Sequence, residues 1–156
     1  MITTPNYLKE LLTVMDNDKT IGIAGSKLIN VKDQIYECGL NINKKLDVKF
    51  IGQNEQIDFL DDKEYIDCDY CSSCSILFRR DVFEKAGKFD PYFSPEYLED
   101  ADLAFKLKYN LNLKTVCVPK SKVYSLRNFL DLCTDEFIKN NNSLYFLDKW
   151  QKYLKN

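Results

Sequence analysis

One stretch constrains this chain more than any other. Ser94 to Pro119 reads S-P-E-Y-L-E-D-A-D-L-A-F-K-L-K-Y-N-L-N-L-K-T-V-C-V-P. Glu99, Asp100 and Asp102 crowd the start of a helix. Leu103, Ala104, Leu107 and Leu111 follow at i, i+1, i+4 and i+8, which is one apolar stripe at helical period. Asp100 lies three and four residues before Leu103 and Ala104, so it opens that stripe and its carboxylate should face the protein body. A strand from Leu113 to Val118 should follow and end at Pro119. Acids in a first helical turn also suit the helix dipole, and Asp is a favoured N-cap. Capping and chemistry therefore both remain open for these carboxylates.

The rest of the chain alternates helix and strand. Thr4-Pro5 reads as N-cap and first helical residue, followed by Tyr7, Leu8, Leu11, Leu12 and Met15 on one face, with the helix ending near Asp16. Ile21 to Ser26 reads as a short buried strand whose glycines imply close backbone approach. Tyr36, Cys38, Leu40 and Ile42 alternate with polar residues and predict a half-buried strand, with Leu46 to Ile51 returning as its hairpin partner. Gln53 to Lys63 reads as a polar surface loop. Asp67 to Arg80 reads as a strand with a small-residue turn. Asp81 should cap a short helix ended by Gly87 at C′. The helix opened by Glu99 should stop around Asn110 to Asn112, asparagine being tolerant of the left-handed conformation. Phe129 to Ile138 reads as helix, broken by Asn140-Asn141-Asn142, and Asn142 is placed to cap a last helix. That helix carries Phe146, Leu147, Trp150, Tyr153 and Leu154 on a wide apolar stripe, with Lys149, Lys152 and Lys155 off it. A core and a membrane surface are the two places such a face can go.

Composition excludes several classes. At 156 residues, 45% of them hydrophobic, the chain is one domain's worth with enough apolar material for a core. A net charge of −2 gives no basic excess for nucleic acid. No run approaches the ~20 apolar residues of a transmembrane helix, and no signal-peptide pattern opens the chain. The expected compartment is the cytosol, with attachment to the inner face of a membrane as the alternative. There the six cysteines stay reduced. There is no histidine, so acid–base chemistry falls to carboxylates, cysteine, lysine or tyrosine. Cys68, Cys71 and Cys74 have metal-like C-x2-C-x2-C spacing. A zinc or iron–sulfur site needs a fourth ligand, which Cys38, Cys117 and Cys133, distant in sequence, would have to supply. On a strand that spacing sends successive side chains to opposite faces, so buried small side chains are the preferred reading.

Glu99-Asp100-Ala101-Asp102-Leu103, after the aromatics Tyr92, Phe93 and Tyr97, resembles the E-D-x-D-L motif of family 2 glycosyltransferases, which are inverting enzymes of GT-A fold. The resemblance runs along nearly the whole chain: Thr4-Pro5-Asn6-Tyr7-Leu8, Ile21 to Ile29, Ile35 to Gly39, Asp67 to Arg80, Phe89-Asp90, and Val116 to Tyr124. It departs where the family has glycine near Ser73 and histidine at Ser125.

The resemblance implies an α/β fold, a mixed sheet with flanking helices, corresponding to part of the GT-A domain. Residues 1–156 would form the acceptor and catalytic-base half, without the nucleotide-binding βαβ half and its D-x-D element. It implies Asp100 as general base, with Glu99 as runner-up or helper, and Asp102 as structural partner of Lys106 at i+4. Ser72, Ser73, Cys74, Tyr92, Phe93 and Tyr97 would line an acceptor cleft. Mg or Mn with a nucleotide-sugar would be held only by a complete enzyme, and no metal by this chain alone. The implied partners are a sugar acceptor and either a separate nucleotide-binding half or a second copy paired through an open sheet edge. An inactive remnant or a glycan- or protein-binding module is the alternative.

Overall fold

The computed structural model describes residues 1–125 and 135–154. In chain order, strand β1 spans Ile2–Thr3, helix α1 Tyr7–Asn17 and strand β2 Ile21–Ile29. Three short strands follow, β3 (Ile35–Glu37), β4 (Leu40–Ile42) and β5 (Val48–Phe50). Then come β6 (Ile66–Cys68), β7 (Ile76–Phe78) and helix α2 (Arg80–Lys85). Helix α3 (Glu99–Leu111), strand β8 (Lys114–Tyr124) and helix α4 (Glu136–Trp150) complete the described elements.

The centre is the parallel pair β2 and β8. All nine residues of β2 are buried, as expected for a parallel strand covered on both faces. Leu11, Val14 and Met15 of α1 pack with Ala24, Val116 and Val118 on one face. Ile23 joins α3 and α4 on the other, among Leu103, Phe105, Leu107, Phe146 and Trp150. The alternation of strand side chains thus feeds two helical layers. At Gly25 a Cβ would lie 2.5 Å from Cys71 Sγ, so only glycine lets the chain after β6 cross β2 this closely.

The edge expected to be open is covered in part. On the side away from β2, β8 pairs antiparallel with β6 over Thr115–Cys117 and with β1 over Val123–Tyr124. The far side of β2 carries β7 and β3. The outer strands are two or three residues long, a common way of blunting a sheet edge.

Several boundaries differ from expectation. Asn6 rather than Thr4 caps α1; Thr4 O accepts from Tyr7 N in the turn before it. The strand predicted over Tyr36–Ile42 breaks into β3 and β4, because Gly39 takes φ +90° and turns the chain. Arg79, not Asp81, caps α2, and Asp81 sits in the first turn, 3.2 Å from Lys85. The last strand does not stop at Pro119. Its pairing jumps from Ser26↔Val118 to Lys27↔Lys122, so Pro119, which has no N–H to give the ladder, lies in a bulge. The Asn140-Asn141-Asn142 run does not break α4, which Asp135 caps through Phe137 N and Ile138 N. Residues 129–134 of the predicted helix and Cys133 lie outside the described residues. The polar 53–63 segment is tied inward by Lys27, fully buried, whose Nζ donates to Ile57 O, Phe59 O and Asp61 at 2.6–2.9 Å.

Other expectations coincide with the structure. The β4–β5 hairpin forms. Gly87 follows α2 at φ +81°, and Asn112 ends α3 at φ 55°. The aromatic face of α4 packs inward, with Phe146, Trp150 and Leu154 at most 6% exposed. No helix among the described residues is long and apolar enough to cross a membrane.

Candidate functional site

Helix α3 begins under constraint. Tyr97 and Leu98 precede it at φ 93° and 71°, backbone that side chains other than glycine rarely adopt. Asn142, buried in the middle of α4, holds this turn: its Nδ2 lies 3.2, 2.9 and 3.1 Å from Phe93 O, Glu96 O and Tyr97 O. The result aims the first turn of α3 at a cleft of about 380 Å³. Ser72, Ser73, Cys74, Tyr97, Glu99 and Asp100, all singled out by sequence, line it together.

Asp100 is the best placed of the acids. Its Oδ2 accepts from Ser73 N at 3.3 Å and its Oδ1 from Ala101 N at 2.8 Å. Burial, with Glu99 beside it, pushes its carboxyl up to about 7, against the lowering effect of the two amides. A carboxylate near neutrality can take up a proton and return it, which is what a general base needs. Glu99 has one buried oxygen, Oε2, without a hydrogen-bond partner.

Two expected lining residues are elsewhere. Phe93 is 1% exposed and packs in the core against Tyr145 and Phe146. Tyr92 is 53% exposed and stacks on Tyr145 at 3.9 Å. The helical turn Pro91–Phe93 points them toward α4 rather than the cleft. Asp102 faces away from the cleft lining: fully buried, it lies 2.9 Å from Lys106 and 2.5 Å from Lys149, and accepts from Trp150 Nε1 at 2.8 Å.

The structure adds residues that local sequence did not mark. Tyr36, Glu37, Phe50, Tyr70 and Lys139 also line the cleft. Tyr36 and Phe50 form an edge-to-face pair, centroids 5.4 Å apart, on one wall. Glu37 sits on the polar side of an alternating strand, where the pattern assigns it to solvent. It is 3% exposed because the 68–74 segment crosses over it. Burial first, then the neighbouring Asp100, push its carboxyl up to about 8, against the Ser72 amide.

The cysteines meet in an unexpected way. Cys38, Cys68, Cys71 and Cys117 form one buried cluster, with Sγ pairs at 3.2 Å (Cys38–Cys117) and 3.6 Å (Cys68–Cys71). The chain leaves strand geometry after Cys68, so Cys71 turns back to the same side. Cys68 and Cys71 lie within thiol hydrogen-bonding distance of Thr115 O and Val116 O. Among the described residues, no group of three or more His, Cys, Asp or Glu is arranged to hold a metal ion. At Ser125, where the resemblance implies histidine, a hydroxyl is a poor replacement for an imidazole ligand. The donors among the described residues therefore do not fit a divalent cation.

No family model matches the chain, and no curated protein sequence matches it. Among solved structures, the crystal structure of GalNAc-T7 with UDP, GalNAc and Mn2+ superimposes with a TM-score of 0.70 at 15% identity. The match covers 95% of this chain and 30% of that one. The chain therefore has the fold of a GT-A-like glycosyltransferase fragment, a mixed sheet with flanking helices.

Proposed function

We propose that this chain is the acceptor side of a family 2-type inverting glycosyltransferase, with Asp100 as general base. The observation that carries the reading is the half-buried Asp100 carboxyl, held by Ser73 N in a cleft of a GT-A-like fold. In the reaction Asp100 Oδ2 takes the proton of an acceptor hydroxyl. The oxygen's electron pair forms the new bond to the anomeric carbon from the face opposite the leaving group. The bond to the nucleoside diphosphate breaks with its electron pair going to the phosphate oxygen. Tyr36, Phe50 and Tyr97 offer aromatic faces to a sugar ring. This chain covers 30% of the compared enzyme's chain, so we place the diphosphate-binding elements outside it, on the same polypeptide or on another. The expected setting is the cytosolic side, soluble or at the membrane face.

The test is transfer from labelled UDP- and GDP-sugars to glycan acceptors, by the chain alone and with a nucleotide-binding half supplied. Asp100→Asn should lower turnover roughly 10²–10⁴-fold while leaving the circular dichroism spectrum unchanged. Full turnover in that variant removes Asp100 from the role. Saturable glycan binding at the cleft, with no transfer in either setting, would make the chain a glycan-binding module instead.

A further inference from the structure

Glu37 takes no proton from the acceptor in the proposed reaction, yet it is the most buried ionisable side chain in the cleft. It ends β3 at 3% exposure, and Oε1 accepts from Ser72 N at 3.2 Å. The next amide, Ser73 N, donates to Asp100 Oδ2 at 3.3 Å. The third, Cys74 N, donates to Ser72 Oγ at 3.4 Å. Three successive amides of one turn are thus held by side-chain oxygens, two of them carboxyl. Two carboxyls on neighbouring amides in a desolvated cleft do not both ionise readily.

We propose that Glu37 is a positioning residue of this site: it and Asp100 hold the adjacent amides of the Ser72–Ser73 turn, and the pair keeps one proton, on Glu37, so that Asp100 alone is ionised to receive the hydroxyl proton. The inference rests on the reading of Asp100 as base. The surroundings agree with it. Tyr36 on the same strand and Tyr70 beneath the turn have phenols raised by burial, so they stay neutral. On the segment crossing Glu37, hydrogen bonding with Cys71 and with Cys117 raises the Cys68 and Cys71 thiols, with burial adding to it, and burial raises Cys74, so none adds charge. From α3, Glu99 contributes a further acid beside Asp100, and Glu96 lines the cleft just before it. Lys139 of α4 is the one cationic side chain lining the cleft among the described residues. Glu37, 3% exposed, is more buried than the half-buried Asp100, and burial disfavours the ionised form, so the proton stays on Glu37.

The experiment is a carboxyl ¹³C NMR titration of the whole chain, with labelled Asp and Glu side chains, from pH 4 to pH 10. It requires no sugar and no transfer, so its failure is separable from failure of the transferase reading. Two carboxyls should titrate late, Asp100 near 7 and Glu37 near 8, assigned by Asp100→Asn and Glu37→Gln. Asp100→Asn should move the Glu37 midpoint down. In Glu37→Gln the Asp100 resonance should lose the upper step that it shows in the parent. A Glu37 that titrates in the ordinary carboxylate range, or one indifferent to Asp100→Asn, overturns the proposal. A residue that only supported the turn would lower stability in Glu37→Gln without shifting either midpoint. If either variant unfolds, the parent titration still tests the proposal, because a proton kept by the pair at neutral pH requires at least one late carboxyl and a parent without one overturns it.

Discussion

Asn142→Ala is the substitution that most directly probes how the cleft is built. Asn142 is 3% exposed and its Nδ2 approaches three main-chain carbonyls of the turn before α3. Alanine removes the donor and leaves those acceptors short of partners, at about 1–3 kcal/mol for a buried group left unsatisfied. The turn also holds Tyr97 and Leu98 at positive φ, which costs on the order of 1–3 kcal/mol each and persists only where neighbours enforce it. Loss of the clamp lets part of that strain relax, which limits the damage. A net loss of about 2–4 kcal/mol follows, or a fall in Tm of roughly 4–16 °C at 2–4 °C per kcal/mol for a chain of this size. Urea unfolding followed by fluorescence measures it well, because Trp150 is the single tryptophan and is buried. Asn142→Asp should cost more than alanine, since it sets a carboxylate against three carbonyl oxygens. Hydrogen exchange should quicken at Asp102 N, whose bond to Leu98 O starts the helix. A loss under about 0.5 kcal/mol for alanine, or equal losses for alanine and aspartate, would refute the clamp.

Other outcomes follow from the same geometry. Asp102→Ala strands the Trp150 indole N–H and takes a buried carboxylate from Lys106 and from Lys149, which keeps Asp90, and should cost about 3–5 kcal/mol in denaturant titration, as removal of one partner from a buried ion pair does. Asp102→Asn should cost less because it keeps an acceptor for Trp150. Stability should fall as pH rises from about 4 to about 8. The folded chain retains protons on Asp100 and Glu37, with folded values near 7 and 8, that the unfolded chain has already released, so the linkage slope is negative in that window and flat above it. The two displacements together correspond to on the order of 9 kcal/mol at about 1.4 kcal/mol per pH unit. Asp100→Asn or Glu37→Gln should flatten the slope over pH 5–8; an unchanged slope would show that these two carboxyls titrate normally. Acid unfolding at the other end should involve Asp90, held down at about 2 by Lys149, the Tyr92 amide and Tyr145 in spite of burial.

How much of this was legible in the chain depends on the range of the forces involved. The α3 stripe, its left-handed stop at Asn112 and the Asp102–Lys106 pair are written in spacings of one to four residues, and all three appear in the structure. The buried β2 run and the aromatic face of α4 are equally local, because hydrophobic periodicity acts before tertiary contacts exist. The inward placement of Asp100 follows from its position on that stripe. Other features depend on segments far apart. Glu37 looks like a solvent-facing residue until Gly39 breaks the strand and the Cys71–Ser73 turn covers it. Asn142 looks like a helix breaker, yet burial against three carbonyls gives its amide a reason to sit mid-helix. Cys38 and Cys117 are 79 residues apart and touch because the chain leaving β3, a neighbour of β2, turns back over β8, which pairs with β2 on its other side. Local periodicity thus determined which stretches are helix and strand and which acid faces inward. Only the packing of distant segments, through desolvation and the satisfaction of buried polar groups, decided which residues share the cleft and how they are charged.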